Sequence, residues 1–268
     1  MANKLLEGKR GVIFGALDSK SIAWKIAERC VEEGATITLT NAPVAMRFGE
    51  IQELGDKLNA EIIPADATRM EDLDNLFIKS QEVLGGKLDF VCHAIGMSVN
   101  MRKKKGYTDL NHDWMAKTFD VSAISFHKMM QSLWKNDAMN EWGSILALSY
   151  IAAQRTFPDY SEMAESKALL ESFARSFGYH WAKRKVRVNT VSQSPTVTTA
   201  GSGVKGFSEF FDYAEKMSPL GNADALSCAD YCLSLFSPLT RMVTMQNLYH
   251  DGGFSNMGMN PAVLGMED

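Results

Sequence analysis

The sequence predicts an α/β fold: a single domain built on a doubly wound parallel sheet of about seven strands, with helices on both faces. Short apolar patterns typical of strands alternate along the chain with amphipathic patterns typical of helices. One strand pattern, GSILALS, is almost continuously apolar, which indicates burial on both faces of a parallel sheet. Right-handed crossovers between parallel strands then place the connecting helices on the two faces.

The predicted elements follow one another in a regular order. The first strand pattern, GVIFGA, has a glycine just before its last residue and leads into an amphipathic helix that stops at Gly34, a residue type typical of the position just beyond a helix. The other strand patterns are ATITLT, EIIPAD, KLDFVCHAIG, GSILALS, VRVNTVS and MQNLYHDGG. The predicted helices cover residues 21–33, 46–58, 71–84, 111–135, 159–183 and 225–236.

The stretch 196–222 departs from this alternation. It reads TVTTAGSGVKGFSEFFDYAEKMSPLGN and mixes small, flexible residues with aromatic ones, so we expect a lid over a substrate site. No linker rich in Pro, Gly or Ser divides the chain. We therefore expect residues 1–268 to form one domain.

Composition argues against several classes of protein. The 268 residues are 46% hydrophobic and 22% charged, as in ordinary globular proteins. No apolar run approaches the roughly 20 residues of a membrane span, and the opening MANKLLEGKR lacks a signal-peptide pattern. We expect a cytoplasmic protein. A formal net charge of −4 argues against general nucleic-acid binding.

The cysteines and histidines show no spacing typical of metal ligands. The five histidines form no convergent pattern with cysteines or carboxylates, so we expect no metal site. We interpret the four cysteines as reduced packing residues. They are Cys30, Cys92, Cys228 and Cys232.

The first strand-to-helix turn is a candidate phosphate site, because a ligand of a Rossmann-type sheet binds beyond the carboxyl ends of the strands. The turn begins at Gly15 and lacks the common G-x-G-x-x-G fingerprint. Gly15 still allows a tight turn, and Ser21 and Ile22 open a helix whose N–H groups and dipole favour a pyrophosphate. The alternative is that Gly15 and Ser21 are ordinary turn and N-cap residues.

The end of the second strand usually separates NAD from NADP, through an acid for the ribose 2′-hydroxyl or an arginine for the 2′-phosphate. Residues 40–43 are Thr, Asn, Ala and Pro, and the nearest basic residue is Arg47. We therefore expect NADH, with NADPH less favoured. Asp66, after the third strand, can accept from the adenine amino group, although it also fits an ordinary turn. The small residues of HAIG at 93–96 let a nicotinamide ribose approach the backbone.

Two tyrosines and a lysine follow the fifth strand. Tyr150 comes directly after it, Tyr160 ten residues later, and Lys167 seven residues beyond that. A spacing of seven is two helical turns, which predicts that Tyr160 and Lys167 share one helix face. A lysine ammonium near a phenol favours a proton-donating arrangement of tyrosine and ribose hydroxyls. The alternative is that both side chains merely cover a helix.

These motifs resemble the NADH-dependent enoyl-(acyl-carrier-protein) reductases of the short-chain dehydrogenase/reductase superfamily, nearly from end to end. Ordinary short-chain dehydrogenases place a lysine four residues after the tyrosine, where this chain has Ala164, and here the lysine is Lys167. That spacing, the extra Tyr150 and the S-I-A turn separate enoyl reductases from ketoreductases. The resemblance is carried by GALDSKSIAWKIAE, AIG, LSYIAAQRTFPDYSEMAESKALLES, RVNTVSQSPTVTT and HDGGFS.

The resemblance implies a catalytic mechanism. Tyr160 would hydrogen-bond the thioester carbonyl of a trans-2-enoyl substrate and stabilise the enolate that forms when hydride reaches the β-carbon. Tyr150 would be a second active-site tyrosine, and Lys167 would hold the nicotinamide ribose hydroxyls. Ser98 matches a substrate-contacting position. The implied cofactor contacts are Gly15, Ser21, Ile22, Ala42, Asp66, Ala67, Ile95, Lys167, Thr196, Val197, Thr198, Thr199 and Ala200.

The acyl chain and its carrier need further surfaces. We expect an apolar pocket to draw on Met163, Phe207 and Phe211, each of which could equally be core. The implied partner is an acyl carrier protein, which is acidic, and Lys205 resembles a docking position beside the lid. The basic run at 102–105 is interpreted as a solvated loop. The resemblance also implies a homotetramer.

The chain departs from the family pattern in places. Ser194 stands where the family has glycine, and Ala94 stands where the family commonly has serine. Thr198 stands at or near a position where the family often has an arginine. Two alternatives stay open. A short-chain ketoreductase would keep the fold, but the Tyr160-to-Lys167 spacing argues against it. A catalytically dead nucleotide-binding regulator would keep the first turn, but the intact tyrosines and lysine argue against it.

Overall fold

Seven strands form one sheet in the computed structural model, which describes residues 4–47, 49–199 and 207–266. The strands are β1 Arg10–Phe14, β2 Thr36–Thr40, β3 Glu61–Ile62, β4 Leu88–His93, β5 Met139–Ser149, β6 Arg187–Gln193 and β7 Asn247–His250. Their order across the sheet is β3-β2-β1-β4-β5-β6-β7, and every neighbouring pair is parallel. The order reverses between β1 and β4, so the predicted doubly wound fold is confirmed.

Helices connect these strands. They are α1 Ile22–Glu32, α2 Ile51–Leu58, α3 Met70–Leu84, α4 Val99–Arg102, α5 His112–Phe119, α6 Ser125–Lys135, α7 Met163–Ala182, α8 Phe207–Met217 and α9 Ala225–Phe236. A π-helical turn joins α5 to α6, so the long helix predicted at 111–135 is continuous. The helix predicted at 46–58 begins only at Ile51, after a short 3-10 turn at Ala45–Arg47. The sequence patterns did not predict α4 and α8.

The helix predicted at 159–183 also begins late, at Met163. Tyr160 lies in a separate 3-10 turn, Pro158–Tyr160. Ser161 has a φ of 53°, a left-handed conformation that breaks the helical path between the turn and α7. The expectation that Tyr160 and Lys167 share one helix face is therefore wrong.

Alternate side chains of the central strands pack into two apolar layers. Ile13 of β1 lies in the layer that contains α1 and α9, whereas its neighbours Val12 and Phe14 lie in the layer that contains α3, α6 and α7. Both layers are buried. The strands therefore need apolar residues on both faces, which explains their nearly continuous apolar sequence.

The four cysteines are buried and free, and all of them lie in the layer beside α1 and α9. Burial raises the pKa of the Cys30 and Cys92 thiols well above the usual range. Their predicted packing role is confirmed. Within the described ranges, no helix has the length and apolar character needed to cross a membrane.

Arg187, buried at the start of β6, satisfies the carboxyl end of α9. Its guanidinium donates to the carbonyl oxygens of Leu235 at 2.7 Å, Thr240 at 3.1 Å, Ser237 at 3.3 Å and Phe236 at 3.4 Å. The last carbonyls of a helix have no partners within it. Burial lowers the pKa of Arg187 to about 10, so the side chain stays charged at neutral pH.

Arg187→Met should lower the free energy of unfolding by about 2–4 kcal/mol, because several buried carbonyls lose their donor. Arg187→Lys should recover part of that loss. Arg69→Met, at a side chain that is 61% exposed, should cost less than about 0.5 kcal/mol. Denaturant unfolding followed by circular dichroism measures all three, and equal losses at the two arginines would contradict the capping role.

Candidate active site

The ends of β1 and β4 meet where the strand order reverses. Gly15, directly after β1, has a φ of 91°. A Cβ at Gly15 would lie 2.2 Å from the carbonyl oxygen of Ala94, directly after β4. Both observations require glycine at this position. This is the edge at which a doubly wound sheet binds a dinucleotide.

Ser21 holds the first turn closed. Its Oγ accepts hydrogen bonds from the backbone N–H groups of Leu17 at 3.2 Å and Asp18 at 3.1 Å, and donates to Asp18 Oδ1 at 3.2 Å. The side chain makes no cap bond to α1. Ser21 therefore shapes the turn, and the first N–H groups of α1, which a helix leaves without internal partners, begin at Ile22.

The ends of β2 and β3 line the far side of the same edge. Asn41 Oδ1 accepts from the Ala42 N–H at 2.9 Å. Asp66 Oδ1 accepts from the backbone N–H of Thr68 at 3.0 Å and from its hydroxyl at 2.7 Å, so Asp66 makes the ordinary turn that the sequence left as an alternative. Ala67 is buried beside it.

Lys167 is buried at the carboxyl end of β5. Its Nζ donates to the carbonyl oxygen of Leu148 at 2.7 Å. Burial lowers the pKa of Lys167 to about 8, and the charge of Glu171 opposes that shift. Burial and the charge of Lys167 together lower the pKa of His93 to about 3, so the imidazole at the end of β4 is neutral. The ammonium of Lys167 therefore lies near the strand ends, and the carboxylate of Glu171 favours its charged form.

Tyr150 and Tyr160 pack against each other although they come from separate turns. Their ring centroids are 4.9 Å apart. Burial raises the pKa of both phenols above the ordinary value, so both keep their protons at neutral pH. Among the described residues, no hydrogen-bond partner reaches the buried hydroxyl of Tyr150. A substrate oxygen could accept a hydrogen bond from this hydroxyl.

Aromatic rings from three segments of the chain pack around Tyr150, and no sequence motif indicated this cluster. Phe157 and Phe210 pack against the Tyr150 ring, with centroids 5.4 Å and 6.1 Å away. Phe254 packs against Phe157 at 6.1 Å. Phe207 instead pairs with Phe211 at 5.9 Å. The amphipathic pattern of α8 could have indicated that its aromatic residues share a buried face, but not which of them reaches the tyrosines.

Ser98 and Met163 lie on the side of the site formed by the loop after β4. Ser98 Oγ donates to Glu162 Oε1 at 2.7 Å and accepts from the Met101 N–H at 3.0 Å. Met163 is buried, and its Cε would lie 3.5 Å from a Cβ placed on Gly96. No motif in the sequence indicated a role for Glu162.

The stretch after β6 runs towards the end of β7. Ser194, the departure from the family pattern, accepts from the Ala223 N–H at 3.1 Å through its Oγ. Thr196 Oγ1 donates to the Ser194 carbonyl at 3.0 Å. Val197 is 57% exposed. The described residues end here at Thr199, so Ala200 and Lys205 lie outside them, as does part of the expected lid.

One further expected cofactor contact follows β4. Ile95, just after β4, is half-buried and packs against the layer that contains α3, α6 and α7. No cluster of three or more His, Cys, Asp or Glu side chains among the described residues could hold a metal ion.

A doubly wound sheet with a glycine turn after β1 and a tyrosine and lysine beyond β5 defines a protein of the short-chain dehydrogenase/reductase class. A family model described as enoyl-(acyl carrier protein) reductase matches residues 15–255. The chain belongs to this enoyl-(acyl-carrier-protein) reductase family.

Individual relatives agree with this assignment. The chain is 34% identical over 260 residues to enoyl-(acyl-carrier-protein) reductase (NADH) 1 of Rhizobium meliloti (strain 1021), covering 96% of this chain and 94% of the relative. It is similar to the crystal structure of the FabI–NADH complex from Alistipes finegoldii, with 60% identity and a TM-score of 0.97, covering 99% of this chain and 94% of that one. The Aquifex aeolicus VF5 reductase structure gives 30% identity and a TM-score of 0.88, covering 95% and 99%.

The burial of Lys167 leads to a measurable titration. In protein labelled with ¹³C at lysine Cε, one resonance that disappears in Lys167→Met should titrate with a midpoint near the pKa of about 8. The ammonium is present below that pH and lost above it. Glu171→Gln should move the midpoint lower, because the carboxylate favours the ammonium. Glu141→Gln, at an exposed carboxylate, should leave it in place. A midpoint above 10 would contradict this burial effect.

Proposed function

We propose that this chain is an NADH-dependent enoyl-(acyl-carrier-protein) reductase, which reduces trans-2-enoyl thioesters in type II fatty-acid elongation. The observation that carries the proposal is the family match over residues 15–255, together with two protonated tyrosines whose rings pack together and a buried Lys167 at the end of β5. The curated relatives are named as NADH enoyl-(acyl-carrier-protein) reductases. A ketoreductase or an inactive regulator has no such support.

The residues at the sheet edge fit a dinucleotide. The glycine-only contact between Gly15 and Ala94 leaves backbone rather than side chains at the switch point, and α1 offers its N-terminus to a pyrophosphate. When bound, NADH supplies the hydride for the β-carbon. We propose that Gly15, Ser21, Ile22, Ala42, Asp66, Ala67, Ile95, Lys167 and residues 196–200 form its site.

Tyr160 is proposed as the proton-bearing group at the substrate carbonyl. Because burial raises its pKa, the phenol remains a hydrogen-bond donor at neutral pH. A donor aimed at the thioester oxygen stabilises the negative charge that develops there as the β-carbon is reduced. Tyr150, whose ring packs against Tyr160, would supply a second hydroxyl, which is buried and has no partner among the described residues.

Lys167 is proposed to hold the nicotinamide ribose hydroxyls. An ammonium has three donors, and the Leu148 carbonyl accepts one of them. Its charge also favours the developing negative charge at the carbonyl oxygen. Asn41 and Ala42 after β2 present no charged group to an adenosine 2′-phosphate, which supports NADH over NADPH.

The remaining features belong to the same proposal. Ser98, Met163 and Phe207 would border the acyl chain, and the acidic carrier protein would dock beside the lid at 196–222, near Lys205. We further propose that residues 1–268 form a single domain, that the protein acts in the cytoplasm and that it assembles as a homotetramer.

Tyr160→Phe should lower kcat/KM for a short trans-2-enoyl thioester by about 10²-fold, because one donor to the developing charge is lost while the ring packing stays. Loss of NADH absorbance measures the rate, with NADPH and a 3-oxoacyl thioester run in parallel. Tyr179→Phe, at a 59% exposed side chain, should stay within about twofold of the parent enzyme. Preference for the 3-oxoacyl substrate would show that the protein is a ketoreductase.

Gly15→Ala should raise the Kd for NADH at least tenfold, a loss of about 1.4 kcal/mol or more. The added Cβ forces the ends of β1 and β4 apart, because it would lie 2.2 Å from the Ala94 carbonyl oxygen. Gly8→Ala is the matched control, since Gly8 also has a positive φ, of 69°, but has nothing within 4 Å of its Cβ position. Calorimetric titration measures both. Equal weakening in the two variants would show that backbone strain alone is responsible.

A further inference from the structure

A buried carboxylate lies just before α7. Glu162 has no exposed surface. Its Oε1 accepts from Ser98 Oγ at 2.7 Å, Thr118 Oγ1 at 2.7 Å and Asn100 Nδ2 at 3.2 Å, and its Oε2 accepts from Ser161 Oγ. The four donors come from the loop after β4, from α4, from α5 and from the turn that precedes α7. One side chain therefore ties together the segments on this side of the active site.

This group is a carboxylate at neutral pH. Burial by itself would raise the pKa of Glu162, but hydrogen bonds from Ser161, Ser98 and Thr118 lower it below the ordinary value. A buried charge is stable only when donors surround it, and removing it leaves those donors unsatisfied. The four donors and the charge therefore depend on one another.

The segment of residues 100–111 is closed by hydrogen bonds between its two ends. Asn100 Nδ2 donates to the Asn111 carbonyl at 3.0 Å, and the Asn111 N–H donates to Asn100 Oδ1 at 3.0 Å. This pair joins the two ends of residues 100–111. Because Asn100 also donates to Glu162, the closed loop is held at a fixed distance from the start of α7.

The turn that carries the catalytic tyrosine is strained. Ser161, the residue after Tyr160, has φ 53° and ψ −151°, a conformation that residues other than glycine adopt at a cost. Such a backbone persists only where the surrounding structure holds it. The hydrogen bond that Ser161 donates to Glu162 stabilises this conformation at the residue next to Tyr160.

Resting on the proposed reductase function, we propose that Glu162 is a positioning residue for the reaction. Its carboxylate fixes the strained turn at Ser161 against the loop that carries Ser98. It thereby positions the Tyr160 phenol to hydrogen-bond the substrate carbonyl. Glu162 acts through Tyr160 and does not itself contact the reacting atoms.

Glu162→Gln tests this role, because it keeps the size of the side chain but removes the charge and turns one acceptor into a donor. We expect kcat for the enoyl thioester to fall at least tenfold, while KM for NADH stays within about twofold, since only the tyrosine turn moves. Glu165→Gln is the matched control on the first turn of α7. Glu165 accepts a hydrogen bond from Tyr107 at 2.5 Å, and Tyr107 is 55% exposed. The kcat of Glu165→Gln should stay within about twofold of the parent enzyme.

A double-mutant cycle separates positioning from general structural damage. In a Tyr160→Phe background, Glu162→Gln should cost less than about threefold in kcat, because the group that Glu162 positions is already lost. The same loss in both backgrounds, or an unchanged kcat in Glu162→Gln alone, would overturn the proposal.

Two further results keep the test decisive. If Glu162→Gln does not fold, Ser161→Ala takes its place in the cycle, since it removes one donor and leaves the carboxylate with three; an unchanged kcat or a loss equal in both backgrounds overturns the proposal. Failure of the parent enzyme to reduce any enoyl thioester would instead overturn the proposed function, and is distinguishable because it appears before any variant is made.

Discussion

The parallel direction of all seven strands determines where this protein can do chemistry. Both faces of the sheet are covered by helices, so a ligand can approach only at the edge where the carboxyl ends meet. At that edge the backbones after β1 and β4 come so close that Gly15 cannot carry a side chain. The turn after β1 and Tyr150 after β5 both leave the sheet at this edge. Lys167 reaches it from α7 by donating to the Leu148 carbonyl, and Tyr160 packs against Tyr150.

Burial then decides which groups carry charge. Lys167 and Glu162 are buried and Tyr160 is half-buried, yet their ionisation differs. Desolvation lowers the pKa of the lysine to about 8 and raises that of the tyrosine. Glu162 stays ionised because its four donors outweigh the same desolvation. Local hydrogen bonding, and not depth alone, therefore sets the ionisation of these groups.

The tyrosine turn is stabilised by contacts from distant parts of the chain. Tyr160 packs against Tyr150, which packs against Phe210 of α8. On its other side, Glu162 reaches residues more than forty positions away, Thr118 and Ser98. The strained turn therefore lies between two sets of contacts that hold it in place.

The sequence by itself determined the fold class, the succession of strands along the chain, most of the helices and the family, because these depend on local periodicity and on motifs that are contiguous in the chain. It also predicted that Tyr150, Tyr160 and Lys167 act as a group, and the structure brings the two tyrosine rings together. It failed where the outcome depends on contacts between distant segments: Tyr160 is not on the helix of Lys167, because Ser161 is left-handed. Only the tertiary structure decided that Phe210 reaches the tyrosines, and that Glu162 is buried among four donors, since neither fact leaves a periodic trace in the sequence.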